Sequence, residues 1–585
     1  MDLRHRRQHS HSGSDQARSR HGQSRHGRSA RARPARARPR RGPAVLASAL
    51  AALLLGAAAL AGCVPIQPVA AGVTHSDDLG TPVGDQQVRR GGHLVMGLSS
   101  EPDRLDPTTS TSLYTRYVMS SICEKLYDLD ARGSIVPQLA SGLPTTSPDG
   151  LTVTFGVRAG VRFADGTPFD AAAVRTSLQR HLTLKGSARR TELGPLAGID
   201  APDPEHVVLH FRQAFAPITA ALADRAGMIM SPAALAAEGV NFGDHPVCVG
   251  AFKFTGRVAQ TSIDVVRDPL YYDAGQVHLD AITYRIMPDT VARAANLRSG
   301  DIQVADSISP QDVDALARDR HLHVLQASSL GYWGVTINIG NTDGAGTPPK
   351  PIDTPLARDA RVRQAFADSI DRATLVATVF NNWFEPACSP IGPGTPYASP
   401  ASNACPPYDP ARSRALLAEA GVPVPLKVSM QVTNTQDQLR YAQALQASVA
   451  EGGFELTIVP VEYATLLDVQ KRGTFALLML GWSGRIDPYG NTSAFLASRA
   501  AANYGGYSSP ELDALLTAAS RGTDAAQRAQ LYGRATQVVQ RDNPIVYTYR
   551  LRLLTVQSTQ LTGIEVYSDG VVRLARAAFR TDPEG

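Results

Sequence analysis

Strand-like and helix-like stretches alternate from Gly91 to the C-terminus, and this alternation constrains the fold more than any other feature. A chain of 585 residues is too long for one compact core, so the alternating part must divide into several units. Gly91-Gly92-His93-Leu94-Val95-Met96-Gly97-Leu98 reads as a strand after a turn. Ser112–Leu126 carries apolar residues at helical spacing, and Leu151–Val157 alternates as a strand does. Asp165-Gly166-Thr167-Pro168 marks a turn, after which Asp170 caps a helix to about Leu184. His206–Phe211 and Thr261–Arg267 read as strands, Thr290–Arg298 as a helix closed by Gly300, and Asp301–Val304 as a short strand. Composition changes near Tyr332. Beyond it, Trp333–Ile339 is strand-like and Arg358–Val379 is predicted to be one long amphipathic helix. A helix at Ala411–Ala420 precedes Lys427–Val432 (strand), Leu439–Glu451 (helix) and Leu456–Val461 (strand). Phe475–Gly481 is an apolar strand, Pro510–Arg521 and Ala525–Arg541 are helices, and Leu551–Phe579 returns to strand patterns. No fixed-period repeat marks a solenoid. Two α/β lobes divided near residue 332 are therefore expected, with a small-molecule site in the cleft between them.

The N-terminal segment reads as an address. Residues 1–62 hold thirteen Arg, no Lys and two Asp, which leaves 45 basic and 51 acidic residues in the remainder. The overall charge of +5 thus belongs to the leader, and the mildly acidic body has no electrostatic footprint for nucleic acid. Ala44–Ala61 is apolar and uncharged, as in a secretory signal, and also suits a membrane-spanning helix in length. It ends in Leu60-Ala61-Gly62-Cys63, which resembles the bacterial lipobox, whose Cys is acylated and becomes the first mature residue. Cys63 is accordingly expected to anchor an exported chain to the outer face of the cytoplasmic membrane. Residues 63–90 read as the lipidated Cys and a flexible tether.

Four further cysteines remain. Cys388 and Cys405 bracket a Pro/Gly/Ser/Asn-rich segment and are expected to pair, leaving Cys123 with Cys248. Spacing leaves all three connectivities open, and four buried free thiols are the alternative. The absence of Cys-x-x-Cys gives no support for a zinc or thioredoxin-type site. Gly481-Trp482-Ser483-Gly484 lacks the fifth position of a nucleophile elbow, because Arg485 stands there. No P-loop, Gly-x-Gly-x-x-Gly or His-Glu-x-x-His occurs, so neither catalysis nor a cofactor is expected. His321-x-His323 reads as a solvated pair in a polar loop rather than a metal site.

The order of several short motifs resembles one family. Gly91-Gly92-x-Leu94 with Glu101-Pro102-x-x-Leu105-Asp106-Pro107 looks like its opening, and Glu124-Lys125-Leu126-Tyr127 is similar to a helix end in it. The fullest match runs from Pro137-Gln138-Leu139-Ala140 through Asp149–Phe155 to Arg158–Phe169. Leu297-x-x-Gly300-Asp301, Val362-Arg363-Gln364-Ala365, Ile370-Asp371-Arg372, Gly481-Trp482, Asp487-Pro488 and Tyr504-Gly505-Gly506-Tyr507 follow in order. Together they resemble the extracellular solute-binding proteins of dipeptide, oligopeptide and nickel ABC importers.

The resemblance implies a periplasmic-binding-protein-like α/β fold of two hinged lobes and three subdomains. Residues 91–127, 241–331 and 550–585 would form the outer domain of lobe one. Residues 128–240 would be its inserted domain, and 332–549 lobe two. It further implies a monomer that delivers a short peptide to the transmembrane subunits of a permease. The alternatives are a nickel complex, haem, a glutathione-like or other anionic solute, or a sensor that has lost transport. In peptide-binding members the segment corresponding to Leu480-Gly481-Trp482-Ser483 lies along the ligand as a strand. Three positions after the Trp, where the family has an acid for the ligand's ammonium, this chain has Arg485, which suits a carboxylate or a structural ion pair. Asp487 is the nearest acid that could replace it. Thr109-Ser110-Thr111 corresponds to a lobe-one loop facing the cleft, where a helix N-cap role is the alternative.

Overall fold

The computed structural model describes residues 75–84 and 86–581, so the leader, Cys63 and most of the tether lie outside the described residues. Three main sheets organise what is described. The largest has seven strands in the order Leu322–Ser328, Arg552–Ser558, Val304–Ala305, His93–Leu98, Ala281–Ile286, Ser262–Arg267 and Phe252–Val258. His93–Leu98 runs parallel to both its neighbours. Its Leu94, Met96 and Leu98 are fully buried, as a central strand requires.

A second sheet of four antiparallel strands (Thr145–Thr146, Thr152–Gly156, His206–Phe211, Leu196–Asp203) has its own apolar core. The helix Ala171–Thr183 covers it and starts where the Asp170 carboxylate accepts the Ala173 amide at 2.8 Å. The third sheet has six strands in the order Glu385–Pro386, Ile545–Arg550, Tyr332–Ile337, Leu477–Trp482, Leu426–Thr433 and Phe454–Val461. Its last three strands are mutually parallel, so helices must carry the chain back across. Gln436–Glu451 and Tyr463–Arg472 do so. Phe380, Tyr441 and Tyr549 pack ring against ring in its core.

The chain passes between the seven-stranded and six-stranded sheets twice: at Ser329–Gly331, after Leu322–Ser328, and at Leu551, between Ile545–Arg550 and Arg552–Ser558. Two short adjacent crossings between two lobes are the geometry of a hinge.

Three sequence expectations change. The long helix over Arg358–Val379 is three helices: Pro355–Arg358, Ala360–Asp368 and Arg372–Phe380. The Asp359 and Asp371 carboxylates accept the amides of Arg361 and Thr374, restarting the helix each time. The helix expected from Ser112 to Leu126 spans only Leu113–Ile122, because Cys123 turns extended and is tied into a disulfide. The strand placed at Asp301–Val304 is Val304–Ala305. Cys123 is bonded to Cys248, and Cys388 to Cys405. His323 lies 2.9 Å from the Asp78 carboxylate, and no metal-holding cluster of His, Cys, Asp or Glu occurs among the described residues.

Candidate functional site

The strand Leu477–Trp482 sits centrally in its sheet, yet is only partly paired. Along one edge it pairs with Tyr332–Ile337 over its whole length. Along the other it pairs with Leu426–Thr433 only through Leu477, Leu478 and Met479. The second edge of Leu480, Gly481 and Trp482 therefore carries no ladder, and a cavity of about 770 Å³ opens over these residues.

Both lobes line that cavity. Arg104, Thr109 and Thr111 come from the segment between His93–Leu98 and Leu113–Ile122, and residues 186–189, Thr191 and Glu192 from the segment between Ala171–Thr183 and Leu196–Asp203. Tyr332, Tyr463, Lys471, Leu480, Gly481, Trp482, Phe495 and Tyr504 come from lobe two. A smaller cavity of about 190 Å³ adjoins it and is lined by Tyr114, Trp333, Tyr463 and Leu480 to Ser483. The rings of Tyr114 and Tyr463 meet edge to face at 5.4 Å, bridging the lobes.

Each expected residue has a definite place. Gly481 is required by packing: a Cβ there would come within 2.5 Å of the Trp333 indole, which stacks on Tyr549. The Trp482 indole NH donates to Asn491 Oδ1 at 2.9 Å, and its ring meets Phe495 edge to face. The Arg485 guanidinium covers the Trp482 ring at 4.2 Å. Trp482 thus both packs lobe two and walls the cavity. Thr109 and Thr111 line it, and the Thr111 hydroxyl donates to Asp103 at 3.0 Å. Ser112 is the N-cap of the helix Leu113–Ile122.

Arg485, Asp487 and Ser110 do not reach the wall of the large cavity. Ser110 is buried, and its carbonyl accepts from Arg189 and Arg225. Asp487, 6% exposed, pairs with Arg528 at 2.7 Å rather than with Arg485. Arg485, 7% exposed, instead has Nε 3.2 Å from Asp224, in the body built on the four-stranded sheet. Asp224 is also 2.8 Å from Arg116 and 3.6 Å from Arg225. Burial alone would raise the Asp224 carboxyl, but Arg116, Arg485 and Arg225 outweigh it and hold it well below the usual range. Burial lowers Arg485 to about 10, against the attraction of Asp224. Arg485 is therefore a buried tie between the segment after Leu477–Trp482 and the body built on the four-stranded sheet. Tyr489 reinforces it by donating its hydroxyl to the Thr191 carbonyl at 3.1 Å.

Arg104, Glu192, Tyr463, Lys471 and Phe495, absent from the sequence reading, complete the wall with Tyr504, which is read there only as part of a motif. Their local patterns are those of ordinary helix and loop residues. Only Lys471-Arg472 before Gly473 carries a signal, and that signal is of a helix end.

Comparison with known proteins agrees with this architecture. Residues 134–503 match the family described as bacterial extracellular solute-binding proteins, family 5 middle. The glutathione-binding protein GsiB of Salmonella paratyphi A is 29% identical over 490 residues, 81% of this chain and 92% of the relative. Among solved structures, the binding protein AgaA of A. tumefaciens R10 in complex with agropinic acid superposes with a TM-score of 0.75 at 25% identity, covering 84% of this chain and 99% of that one. The Escherichia coli murein tripeptide binding protein MppA gives a TM-score of 0.76 at 21% identity, covering 85% and 100%. With the family match spanning most of the chain and the two-lobed fold shared, this chain belongs to family 5 of the bacterial extracellular solute-binding proteins, the solute-capturing components of ABC importers.

Proposed function

We propose that the chain captures short peptides outside the cell and delivers them to the transmembrane subunits of an ABC importer. The observation that carries this reading is the unladdered edge of Leu480, Gly481 and Trp482 beside a cavity of about 770 Å³. An extended peptide laid there would pair its main chain with the strand, which gives affinity without reading every side chain. Aromatic walls at Tyr332, Tyr463, Trp482, Phe495 and Tyr504 would accept varied side chains. Hinge closure would bury the cargo, and reopening would release it. In this reading residues 91–127, 241–331 and 550–585 form the outer domain of lobe one, 128–240 its inserted domain and 332–549 lobe two. The protein works as a monomer tied to the membrane by acyl chains on Cys63, and Cys63→Ala should leave it unlipidated.

Equilibrium binding of tritiated di- to pentapeptides to the purified protein tests the reading. Saturable binding that is abolished by filling the cavity with Ala494→Trp is expected. Indifference to the whole pool would refute peptide capture and favour a sensor or a non-peptide solute.

A further inference from the structure

Part of the segment 63–90 lies bound against the rest of the chain. Val88–Arg89 pairs with Ala578–Arg580, and the Leu79 and Thr81 carbonyls accept the amides of Val566 and Gly563 at 2.9 and 3.1 Å. Gly80 between them has φ +85°, and a Cβ there would meet the Ile564 carbonyl oxygen at 2.1 Å, so the backbone lies tight on its support.

Towards its N-terminus the same segment reaches the two crossings between the seven-stranded and six-stranded sheets. Leu322–Ser328 is an edge strand, and Asp78 closes on it by exchanging both main-chain bonds with Gln326, at 2.8 and 2.7 Å. The Asp77 carboxylate accepts the amide and the hydroxyl of Ser328 at 3.0 and 3.1 Å and pairs with Arg552. Ser328 stands immediately before the crossing Ser329–Gly331, and Arg552 immediately after the crossing at Leu551. One carboxylate oxygen thus joins the ends of both hinge strands. The Arg552 side chain is 6% exposed, and Asp77 is its carboxylate partner among the described residues. Without Asp77 that guanidinium would be buried with no counter-charge.

His75 carries the segment across to the other body. Its ring stacks on the Trp383 indole, with centroids 3.8 Å apart and planes 10° from parallel. Trp383 stands between the helix Arg372–Phe380 and the strand Glu385–Pro386 of the six-stranded sheet. It packs against the apolar cluster of Leu322, Leu554 and Val556, which belong to the seven-stranded sheet. Trp383 is therefore a wedge between the two bodies, and His75 pins it. The cleft is shut in this arrangement, with Tyr114 and Tyr463 in contact across it. Rotation about the crossings would shift Trp383 against the strand edge that Asp77 and Asp78 hold, and a ring stack tolerates little of that.

We propose that residues 75–80 form a strap over the hinge, which holds the cleft closed through His75 on Trp383 and Asp77 on Ser328 and Arg552. The stack is the link that yields, because it is one contact, whereas Asp77 and Asp78 are held by several hydrogen bonds and an ion pair. A hinge already biased towards closure raises the apparent affinity for solute, and release of the strap lowers it again. The strap acts on the hinge whatever the cleft binds.

Double electron–electron resonance on the purified full exported chain, with no ligand present, tests this. Spin labels go on Lys185→Cys and Asp468→Cys, exposed positions beside the large cavity on its two sides. The wild type should give predominantly the short distance of the closed form. His75→Ala should raise the ratio of open to closed chains by about two- to tenfold, the bias of one aromatic pair. Asp77→Ala should raise it further, and His75→Phe, which keeps a stacked ring, should stay close to the wild type. A wild type that is already open overturns the proposal. So does a distribution that His75→Ala leaves unchanged, which would make residues 75–80 a docked end with no hold on the hinge. His75→Phe opening as far as His75→Ala overturns the stack as the link. His75→Ala strands no buried charge, so its result decides even where Asp77→Ala unfolds the chain. With no ligand in the measurement, failure of the strap leaves peptide capture standing, and failure of peptide capture leaves the strap standing.

Discussion

The Arg485 guanidinium lies 3.2 Å from the Asp224 carboxylate, joining the segment after Leu477–Trp482 to the body built on the four-stranded sheet. Removing one partner of a buried pair leaves a charge without compensation, at about 3–5 kcal/mol. Arg116 remains 2.8 Å from Asp224, so Arg485→Ala should fall at the low end of that range. Denaturant unfolding measures it. Intact stability combined with lost solute binding would return Arg485 to the ligand.

Gly481→Ala places a methyl against Trp333, whose indole is held by Tyr549. Overpacking of this kind costs about 1–3 kcal/mol and should shift the tryptophan fluorescence as the ring moves. An unchanged unfolding midpoint and spectrum would mean that the indole has room to yield.

Glu124 gives the protein a pH dependence unrelated to its ligand. Burial raises its carboxyl to about 7, against the hydroxyls of Tyr271 and Tyr272, which donate to it at 2.5 and 3.0 Å. Asp128 also faces it and raises it, and Arg158 lowers it. A carboxyl that holds its proton more tightly when folded stabilises the fold at low pH, and that benefit disappears as pH rises toward about 7. The loss amounts to about 3 kcal/mol. Asp128, held at about 2 by Lys125 and Arg573 despite its burial, acts only at much lower pH. Unfolding curves from about pH 5 to about pH 7.5 should show stability falling for the wild type and a flatter profile for Glu124→Gln. Parallel profiles would remove Glu124 as the cause.

Reduction should loosen two separate places. Cys388 and Cys405 close a separation of 17 residues and Cys123 and Cys248 one of 125. The chain-entropy relation gives about 3 kcal/mol for the first and nearly 5 for the second. Cys123→Ser should therefore lower stability more than Cys388→Ser, measured by denaturant unfolding. The reverse order would show that local packing, not loop closure, sets these costs.

Much of the fold was legible because its signals are local. His206–Phe211 and Pro510–Arg521 have the expected boundaries, and Asp170 caps its helix as expected. The run Arg358–Val379 misled because apolar spacing continues through Asp359 and Asp371, whose capping is visible only when the backbone turns. At the site, the strand around Trp482 was legible, but the partners of Arg485 and Asp487 were not. Asp224 and Arg528 lie far along the chain, and only tertiary packing brings them close.

Hydrogen exchange at Leu480, Gly481 and Trp482, followed by mass spectrometry with and without a saturating short peptide, tests the central claim most directly. If the ligand adds to this strand edge, amides there should slow markedly on binding, beyond any general effect of lobe closure on Leu477–Met479. Peptide bound at saturation with exchange at Leu480–Trp482 unchanged would contradict it.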